Sequence, residues 1–192
     1  MVAEDELSFA VMECILLRCG RTFRVILPKI ERGFGNIKRS INKYREASLV
    51  LPHVVLTDLD NAECAASLRE EWGAENLPPT MMFRVAVRET EAWVLADRQA
   101  FATFAGIPPI KIPQAPDTVD DPKRTLINLV RRSRSRRLAA ELVPPAGSSV
   151  QIGPMYNERL VAFVRQQWDP LTALSNSPSL ERTFTRLQQF MR

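Results

Sequence analysis

The sequence predicts an α/β fold, with a mostly parallel sheet, helices on both faces and a C-terminal helical extension. Residues 1–105 alternate short β-rich apolar segments with segments of helical periodicity, which is typical of parallel sheets covered by helices. After residue 107 the chain changes to proline-rich connections and helices. We expect residues 1–107 to form the α/β core and residues 108–192 to complete the same domain.

The elements of the core follow from the apolar pattern. Short runs rich in β-branched residues predict strands, and apolar positions at a period near 3.6 predict helices. The predicted strands are residues 1–3, 22–27, 54–56 and 81–87. The predicted helices are residues 7–17, 37–47, 61–72 and 91–104. Gly20 ends the first helix, Pro28 ends the second strand, and residues 33–36 form a turn.

The extension begins with five prolines between residues 108 and 122, which predict an ordered excursion over the surface. Residues 123–137 predict a basic helix, and residues 142–154 a loop rich in Pro, Gly and Ser. Two amphipathic helices are predicted over residues 157–168 and 179–191.

The composition is that of a globular protein with a full apolar core: 192 residues, 45% hydrophobic and 25% charged. No run approaches the ~18–20 apolar residues of a membrane span, and the acidic start lacks the basic region of a signal peptide. The three cysteines show no CxxC spacing, which indicates a reduced, cytoplasmic protein without structural zinc. The net charge of +4 is clustered and favours an anionic partner.

Two carboxylates end the third predicted strand. Asp58 and Asp60 are spaced i, i+2 after an apolar run, which in a strand places them on the same side, roughly 6–7 Å apart. Like charges at this distance repel unless a cation lies beside them, and hard oxygen ligands suit Mg²⁺ or Mn²⁺. An ordinary turn is the alternative, because Asp and Asn are common in loops and helix caps.

Further acids lie at the ends of two other predicted strands. Glu4 follows the first strand, and Glu89 and Glu91 follow the fourth. Because ligands bind at the carboxyl ends of parallel strands, we expect these acids to meet Asp58 and Asp60 and to hold one or two ions, a site suited to displacement at phosphorus. Alternatively, the two glutamates cap the helix that follows them.

Lys123 is a candidate cation for the transition state, since an ammonium suits a phosphoryl oxygen. The alternative is a solvated lysine in the first turn of a helix, after Pro122. His53, the only histidine, is expected to be structural. This argues against histidine-based triads. In the metal-site hypothesis, the nucleophile is a water activated by the metal.

These acids resemble those of Toprim-like nuclease domains of the OLD (overcoming lysogenization defect) family and of a small free-standing Toprim-related family of unknown function. The strings V-A-E-D-x-L-S, V-L-T-D-L-D, R-E-x-E-A-W-x-L-A-D and D-P-K of that small family are similar to residues 2–8, 55–60, 88–97 and 121–123 here.

The resemblance implies a Toprim-like catalytic core in residues 1–107 and a nuclease that acts on nucleic acid, with DNA as the expected substrate. It implies that Glu4, Asp58 and Asp60 hold the first Mg²⁺ or Mn²⁺ ion. Glu89 and Glu91 would complete its shell or hold a second ion, and Lys123 is the lysine of the motif. No tyrosine stands where a topoisomerase would need one.

OLD-type nucleases work with an ABC-type ATPase module, and this sequence has no GxxxxGK[ST] motif. The resemblance therefore implies a separate ATPase subunit in anti-phage defence, through which the chain would oligomerise. Ser8 stands where OLD-type motifs usually carry a second acid. This departure leaves open a catalytically incomplete module that docks nucleic acid or the ATPase. A phosphoesterase acting on small molecules is a third alternative.

Two basic segments predict contact with a nucleic-acid backbone. Their residues are Lys38, Arg39 and Lys43 in the first, and Arg131, Arg132, Arg134, Arg136 and Arg137 in the second. The alternative is a solvated helix face or helix end. Neither segment has interleaved aromatic residues, so the sequence does not indicate base stacking on a single strand.

Overall fold

The computed structural model describes residues 1–191 and contains, within them, one parallel sheet of four strands in the order β2-β1-β3-β4. The strands are β1 (Val2–Ala3), β2 (Lys29–Ile30), β3 (His53–Asp58) and β4 (Met81–Ala86). The register of β3 and β4 pairs His53 with Met81 and Asp58 with Ala86. The predicted α/β class is confirmed, and the architecture is consistent with a Toprim-like fold that carries a helical extension.

Helices cover both faces of the sheet. They are α1 (Glu6–Arg18), α2 (Phe34–Ser48), α3 (Ala65–Glu71), α4 (Thr90–Ala96), α5 (Arg98–Ala105), α6 (Pro122–Val130), α7 (Arg136–Leu142), α8 (Tyr156–Gln166), α9 (Pro170–Ala173) and α10 (Pro178–Gln189). Short 3₁₀ turns lie at Pro109–Lys111, Pro116–Thr118 and Leu174–Asn176. No helix within residues 1–191 has the length and apolar character needed to cross a membrane.

The apolar residues form one core on each side of the sheet, because successive side chains of a strand point to opposite faces. On one side, Leu56 and Ala86 pack with α1, α4 and the helices of the extension. On the other side, Val55 and Phe83 pack with α2, α3 and Trp72. The first core contains buried side chains from both the N-terminal half and the extension.

The predicted strand over residues 22–27 is wrong. The structure places β2 at Lys29–Ile30, beyond Pro28, where the Lys29 N–H donates to the Met1 carbonyl at 2.9 Å. Proline has no N–H for a sheet ladder, and β1 offers only two residues for pairing. Residues 22–28 therefore run alongside the sheet, and Ile26 is 61% exposed.

Two predicted helices are each divided in two. The predicted helix over residues 91–104 breaks at Asp97, which leaves helical geometry, and its Oδ1 accepts from Ala100 N at 3.1 Å to start α5. The predicted helix over residues 123–137 stops at Val130 and restarts at Arg136, where the Ser135 side chain caps α7. A capping side chain stabilises the start of a new helix. The helical spacing of apolar residues can therefore continue through a break between two helices, and the spacing alone does not reveal the break.

Two other helices start at residues that differ from the prediction. The predicted turn at residues 33–36 is wrong beyond Gly33, because Phe34–Asn36 already form the first turn of α2. Gly33 is the N-cap at φ 121°, a conformation that favours glycine. The helix predicted from residue 61 begins at Ala65, because Cys64 serves as its N-cap.

Candidate active site at the carboxyl edge of the sheet

Three strand ends bring acidic residues together. Glu4 follows β1, Asp58 ends β3, and Glu89 lies three residues after β4. Glu4 Oε2 accepts hydrogen bonds from Thr57 Oγ1 at 3.1 Å and from the Asp58 N–H at 3.4 Å. The acids of the first and third strand ends are thus neighbours, which follows from the pairing of β1 with β3.

Asp58 is held in place by Thr90, the first residue of α4. Asp58 Oδ1 accepts from the Thr90 N–H at 2.9 Å and from Thr90 Oγ1 at 2.8 Å. Thr90 Oγ1 also lies 3.0 Å from Ser8 Oγ of α1. All three residues are buried. Ser8, which replaces an expected acid, therefore belongs to the hydrogen-bond network that orients Asp58.

Glu89 and Lys123 form an ion pair across 34 residues. Glu89 Oε2 accepts from the Lys123 N–H at 2.8 Å, and Glu89 Oε1 lies 3.4 Å from Lys123 Nζ. Glu89 occupies the N-cap position of α4, but its side chain makes no capping hydrogen bond. The capping alternative therefore does not describe the Glu89 side chain, which instead faces the first turn of α6.

Glu91 is buried, with 2% of its surface exposed. Its Oε1 accepts from the hydroxyl of Tyr156 at 2.8 Å and lies 3.6 Å from Lys123 Nζ. Lys123 is thus placed between Glu89 and Glu91, and its side chain, 30% exposed, is ion-paired rather than freely solvated.

Asp60 does not follow the strand geometry expected from its spacing to Asp58. β3 ends at Asp58, and Asp60 has a left-handed backbone conformation with φ 48°, which aspartate tolerates better than most residues. The Arg88 side chain fixes this loop by donating to the carbonyls of Asp60 at 3.2 Å and Ala62 at 3.0 Å. Asp60 lines a cleft next to Glu89 and Lys123.

The buried carboxylates have raised pKa values. Burial raises the pKa of Asp58, and repulsion from Glu91 and Glu4 raises it further. Burial also raises the pKa of Glu91 to about 7, although the ammonium of Lys123 opposes this shift. The pKa of Glu4 is raised by burial and by Asp60. These groups disfavour the fully ionised state unless another cation joins them.

The pKa of Lys123 is raised as well, but for a lysine this shift favours the charged form. Burial alone would lower the pKa of its ammonium, but attraction from Glu91, Glu89 and Asp58 outweighs burial and raises the pKa. Asp5, the N-cap of α1, contributes to the same field. Lys123 is therefore charged at neutral pH, and its charge faces more carboxylates than it can neutralise.

The donor set fits a hard divalent cation. Glu4 accepts hydrogen bonds only through Oε2 and Asp58 only through Oδ1 from the described residues. The second oxygens, Glu4 Oε1 and Asp58 Oδ2, are therefore free of hydrogen bonds from the described residues and can act as ligands. Within residues 1–191, however, no group of three or more acid, histidine or cysteine side chains is placed so that it could hold a metal ion, so binding would require these side chains to move closer together.

A cleft of about 600 Å³ adjoins the carboxylates. Besides Asp60, Glu89 and Lys123, its walls carry three arginines and several amides. These are Arg88, Arg124, Arg131, Asn61, Asn128 and Gln151. Asp120 and Asp121 also line the cleft, so it carries acidic and basic groups together. The guanidinium groups suit an anionic ligand, and the acids suit a cation bound beside it.

The structure separates the residues proposed to contact nucleic acid. Arg131 lines the cleft. Arg132, Arg134, Arg136 and Arg137 are exposed in the turn after α6 and on α7. Lys38, Arg39 and Lys43 lie on α2, on the opposite face of the sheet. Lys38 pairs with Glu71 at 2.5 Å, and Arg39 bonds to Asn36.

Sequence reasoning missed several side chains of this site. Thr90 lies between Glu89 and Glu91 in the chain, and Arg88 directly precedes Glu89. The proximity of Thr90 and Arg88 to these candidate residues could have identified them. The only feature of the sequence that pointed to Asp5 was its position next to Glu4. Tyr156 gave no signal, because it lies 65 residues from Glu91 in a different element.

Comparisons with known proteins place no further constraint on this site. The chain matches no protein-family model, no curated protein and no solved structure.

Proposed function

We propose that the chain is a Toprim-like, metal-dependent nuclease that hydrolyses phosphodiester bonds of DNA. The observation that carries the proposal is the meeting of Glu4, Asp58, Glu89 and Glu91 at one edge of the sheet, beside a cleft lined by arginines. Acids from several strand ends are what a site for hard divalent ions requires.

In this proposal, Glu4, Asp58 and Asp60 would hold a Mg²⁺ or Mn²⁺ ion through carboxylate oxygens, and Glu89 and Glu91 would complete the shell or hold a second ion. The bound ion would supply a water nucleophile near neutral pH and stabilise charge on the phosphate. Thr90 and Ser8 orient Asp58 by hydrogen bonds. Lys123 stabilises the charge that develops on the phosphoryl oxygens.

The proposal includes a separate ABC-type ATPase subunit and a role in anti-phage defence. Its support is the resemblance of residues 2–8, 55–60, 88–97 and 121–123 to Toprim-related strings, together with the absence of a P-loop motif from the sequence. Under this proposal, ATP hydrolysis by the partner would control access of DNA to the cleft.

Nicking of supercoiled plasmid tests the proposal. Purified protein with Mg²⁺ or Mn²⁺, with and without a co-expressed ABC-type ATPase, is expected to convert supercoiled plasmid to the open circle. Asp58→Asn should abolish nicking, because the amide removes the charge while keeping the hydrogen bonds from Thr90. Glu63→Gln, at an exposed acid in the loop after β3, is the matched control and should retain activity.

The docking alternative has its own support, since Ser8 stands where OLD-type motifs carry a second acid, and its hydroxyl hydrogen-bonds to Thr90 and supplies no carboxylate. It predicts that wild type and Asp58→Asn are equally inert under every condition, while both bind DNA or the ATPase. Turnover of nucleotides or sugar phosphates, unaffected by added DNA, would instead indicate a phosphoesterase of small molecules.

A further inference from the structure

The outer surface of α10 and the neighbouring part of β4 carry a group of arginines. α10 packs against β4, and two hollows of about 620 Å³ and about 430 Å³ adjoin there, because they share lining residues from both elements. Four arginines line the hollows: Arg69, Arg84, Arg182 and Arg186. We call these four residues the arginine band.

The arginine band is not neutralised by the described part of the chain. Two exposed acids, Glu75 and Glu181, also line the hollows. None of the four arginines, however, forms a salt bridge with a carboxylate within residues 1–191. Because arginine is always charged, the surface keeps an excess of positive charge that suits an anionic ligand.

Arg84 is held in place by α10. Its Nε donates to Thr183 Oγ1 at 3.2 Å, and its two terminal nitrogens donate no hydrogen bond to the described residues. Burial, together with repulsion from Arg69, Arg186 and Arg182, lowers the pKa of this guanidinium to about 10. The anchored Nε therefore orients a free pair of terminal nitrogens, the group that binds a phosphate through two of its oxygens.

The arginine band extends across β4. At one end, Arg69 of α3 is fixed because its Nη1 donates to the Phe83 carbonyl at 3.2 Å. At the other end, Arg182 and Arg186 lie about one turn apart on α10, a rise of ~6 Å. Since α3 and α10 pack on opposite faces of the sheet, the charges are spread too widely for one phosphate group. An extended polyanion fits this spacing better than a single anion.

The arginine band begins close to the candidate active site. Arg88 lines the cleft beside the carboxylates, and Arg84 precedes it by only four residues. Four residues span at most ~14 Å, which corresponds to about four base pairs along a DNA duplex. A duplex with one phosphate in the cleft therefore has its flanking phosphates within reach of the band.

We propose that the arginine band binds backbone phosphates of DNA that flank the segment in the cleft. Arg84 would bind one phosphate bidentately, and Arg182 and Arg186 would contact its neighbours. The inference rests on the proposed function for its ligand, nucleic acid, and adds a second contact surface outside the cleft. Because backbone contacts do not read bases, the band would raise affinity without sequence preference.

The test is fluorescence anisotropy with the full chain and a labelled duplex of ~20 base pairs, long enough to cover the cleft and the band. EDTA is present, so neither a divalent ion nor cleavage is required. Arg182→Gln/Arg186→Gln, at two exposed positions, should weaken binding at least about tenfold and reduce the slope of log K against log salt by about 2, because two phosphate contacts are lost. Glu181→Gln removes a negative charge from the same surface and should strengthen binding.

The matched control is Arg24→Gln/Arg39→Gln, which removes the same charge at two exposed positions. Arg24 lies beside the start of β3, at the opposite end of the sheet from the cleft, and Arg39 lies on α2. The control should bind the duplex with the affinity and salt slope of the wild type. Circular dichroism confirms that both double variants fold.

Equal affinity and salt slope in Arg182→Gln/Arg186→Gln and in the control would overturn the proposal, as would no binding of the duplex by the wild type. Equally tight binding of a polyglutamate peptide of matched charge would assign the band to an acidic protein segment instead. Displacement of the duplex by an equal concentration of pyrophosphate would assign it to a small phosphorylated ligand. Because nicking is not measured, a protein that binds DNA through the band but does not nick contradicts the proposed function alone.

Discussion

The hydroxyl of Tyr156 donates a hydrogen bond of 2.8 Å to Oε1 of Glu91, which lies 65 residues earlier in the chain. This contact joins the first turn of α8 to the carboxylate cluster. It lowers the cost of a buried charge on Glu91, since a hydrogen bond to a carboxylate favours its ionised form. The extension therefore contributes directly to the candidate active site.

Tyr156→Phe should weaken both the fold and cation binding. Loss of the hydroxyl leaves a buried acceptor unsatisfied, which costs about 1–3 kcal/mol of unfolding free energy. The pKa of Glu91 should rise further, so binding of Mg²⁺ at neutral pH should weaken. Urea unfolding and isothermal titration calorimetry measure the two effects.

The control is Tyr44→Phe. Tyr44 also donates to a glutamate, Glu31. Burial would raise the pKa of Glu31, but Tyr44, Lys29 and Lys43 outweigh burial and lower it, and the cluster has no part in this shift. This variant should lose stability but bind Mg²⁺ normally. If the two variants bind Mg²⁺ equally well, Tyr156 has only a structural role.

The stability of the metal-free protein should fall as the pH rises from about 4.5 to about 7. The pKa of Glu91 is raised in the folded chain from 4.5 to about 7, so between these values the folded chain holds a proton that the unfolded chain has lost. Stability then decreases with pH. Thermal unfolding at several pH values measures this slope.

Added Mg²⁺ should reverse this dependence, because the ion binds the ionised carboxylates. The increase in Tm should be larger at about pH 8 than at about pH 5.5. Glu91→Gln removes the titrating group and should flatten the metal-free profile. An unchanged slope in Glu91→Gln would assign the dependence to other groups.

Lys123→Ala should separate cation binding from turnover. Lys123 pairs with Glu89 and Glu91 and would compete with a metal ion for their oxygens, so its removal should leave Mg²⁺ affinity the same or higher. Nicking should nevertheless fall roughly 100-fold, because a charge on the phosphoryl oxygens is lost. Lys111→Ala, at an exposed lysine, should change neither quantity. Loss of Mg²⁺ binding in Lys123→Ala would contradict this role.

The arginines of the cleft should carry more of the DNA affinity than the basic face of α2. Arg124→Ala and Arg131→Ala should each weaken binding and reduce the slope of log K against log salt by about 1. Lys38→Ala and Arg39→Ala, whose side chains already have protein partners, should have little effect. The opposite ranking would place DNA on the other face of the sheet.

The order of strands and helices was predictable because each is a local pattern. β3, β4 and α1 follow from apolar runs and periods. The carboxyl ends of β3 and β4 then locate Asp58 and Glu89, and the start of α1 locates Glu4. The breaks at Asp97 and between α6 and α7 were not predictable from period, because one capping side chain decides each of them.

The contacts within the site were harder to predict than its members. Residue types and strand ends indicate which acids meet, but not which partner each one takes. Glu89 stands at a helix start, where capping is the local expectation, yet it pairs with Lys123 from a distant helix. Such choices depend on how α6 and α8 pack, which a single sequence does not reveal.

The carboxylate cluster draws its residues from both ends of the chain, from Glu4 to Tyr156. An unfolded chain therefore has no preformed site, and a cation held by the cluster binds the folded chain alone. Proteases attack unfolded chains, so the concentration of free Mg²⁺ should set the lifetime of this protein during digestion.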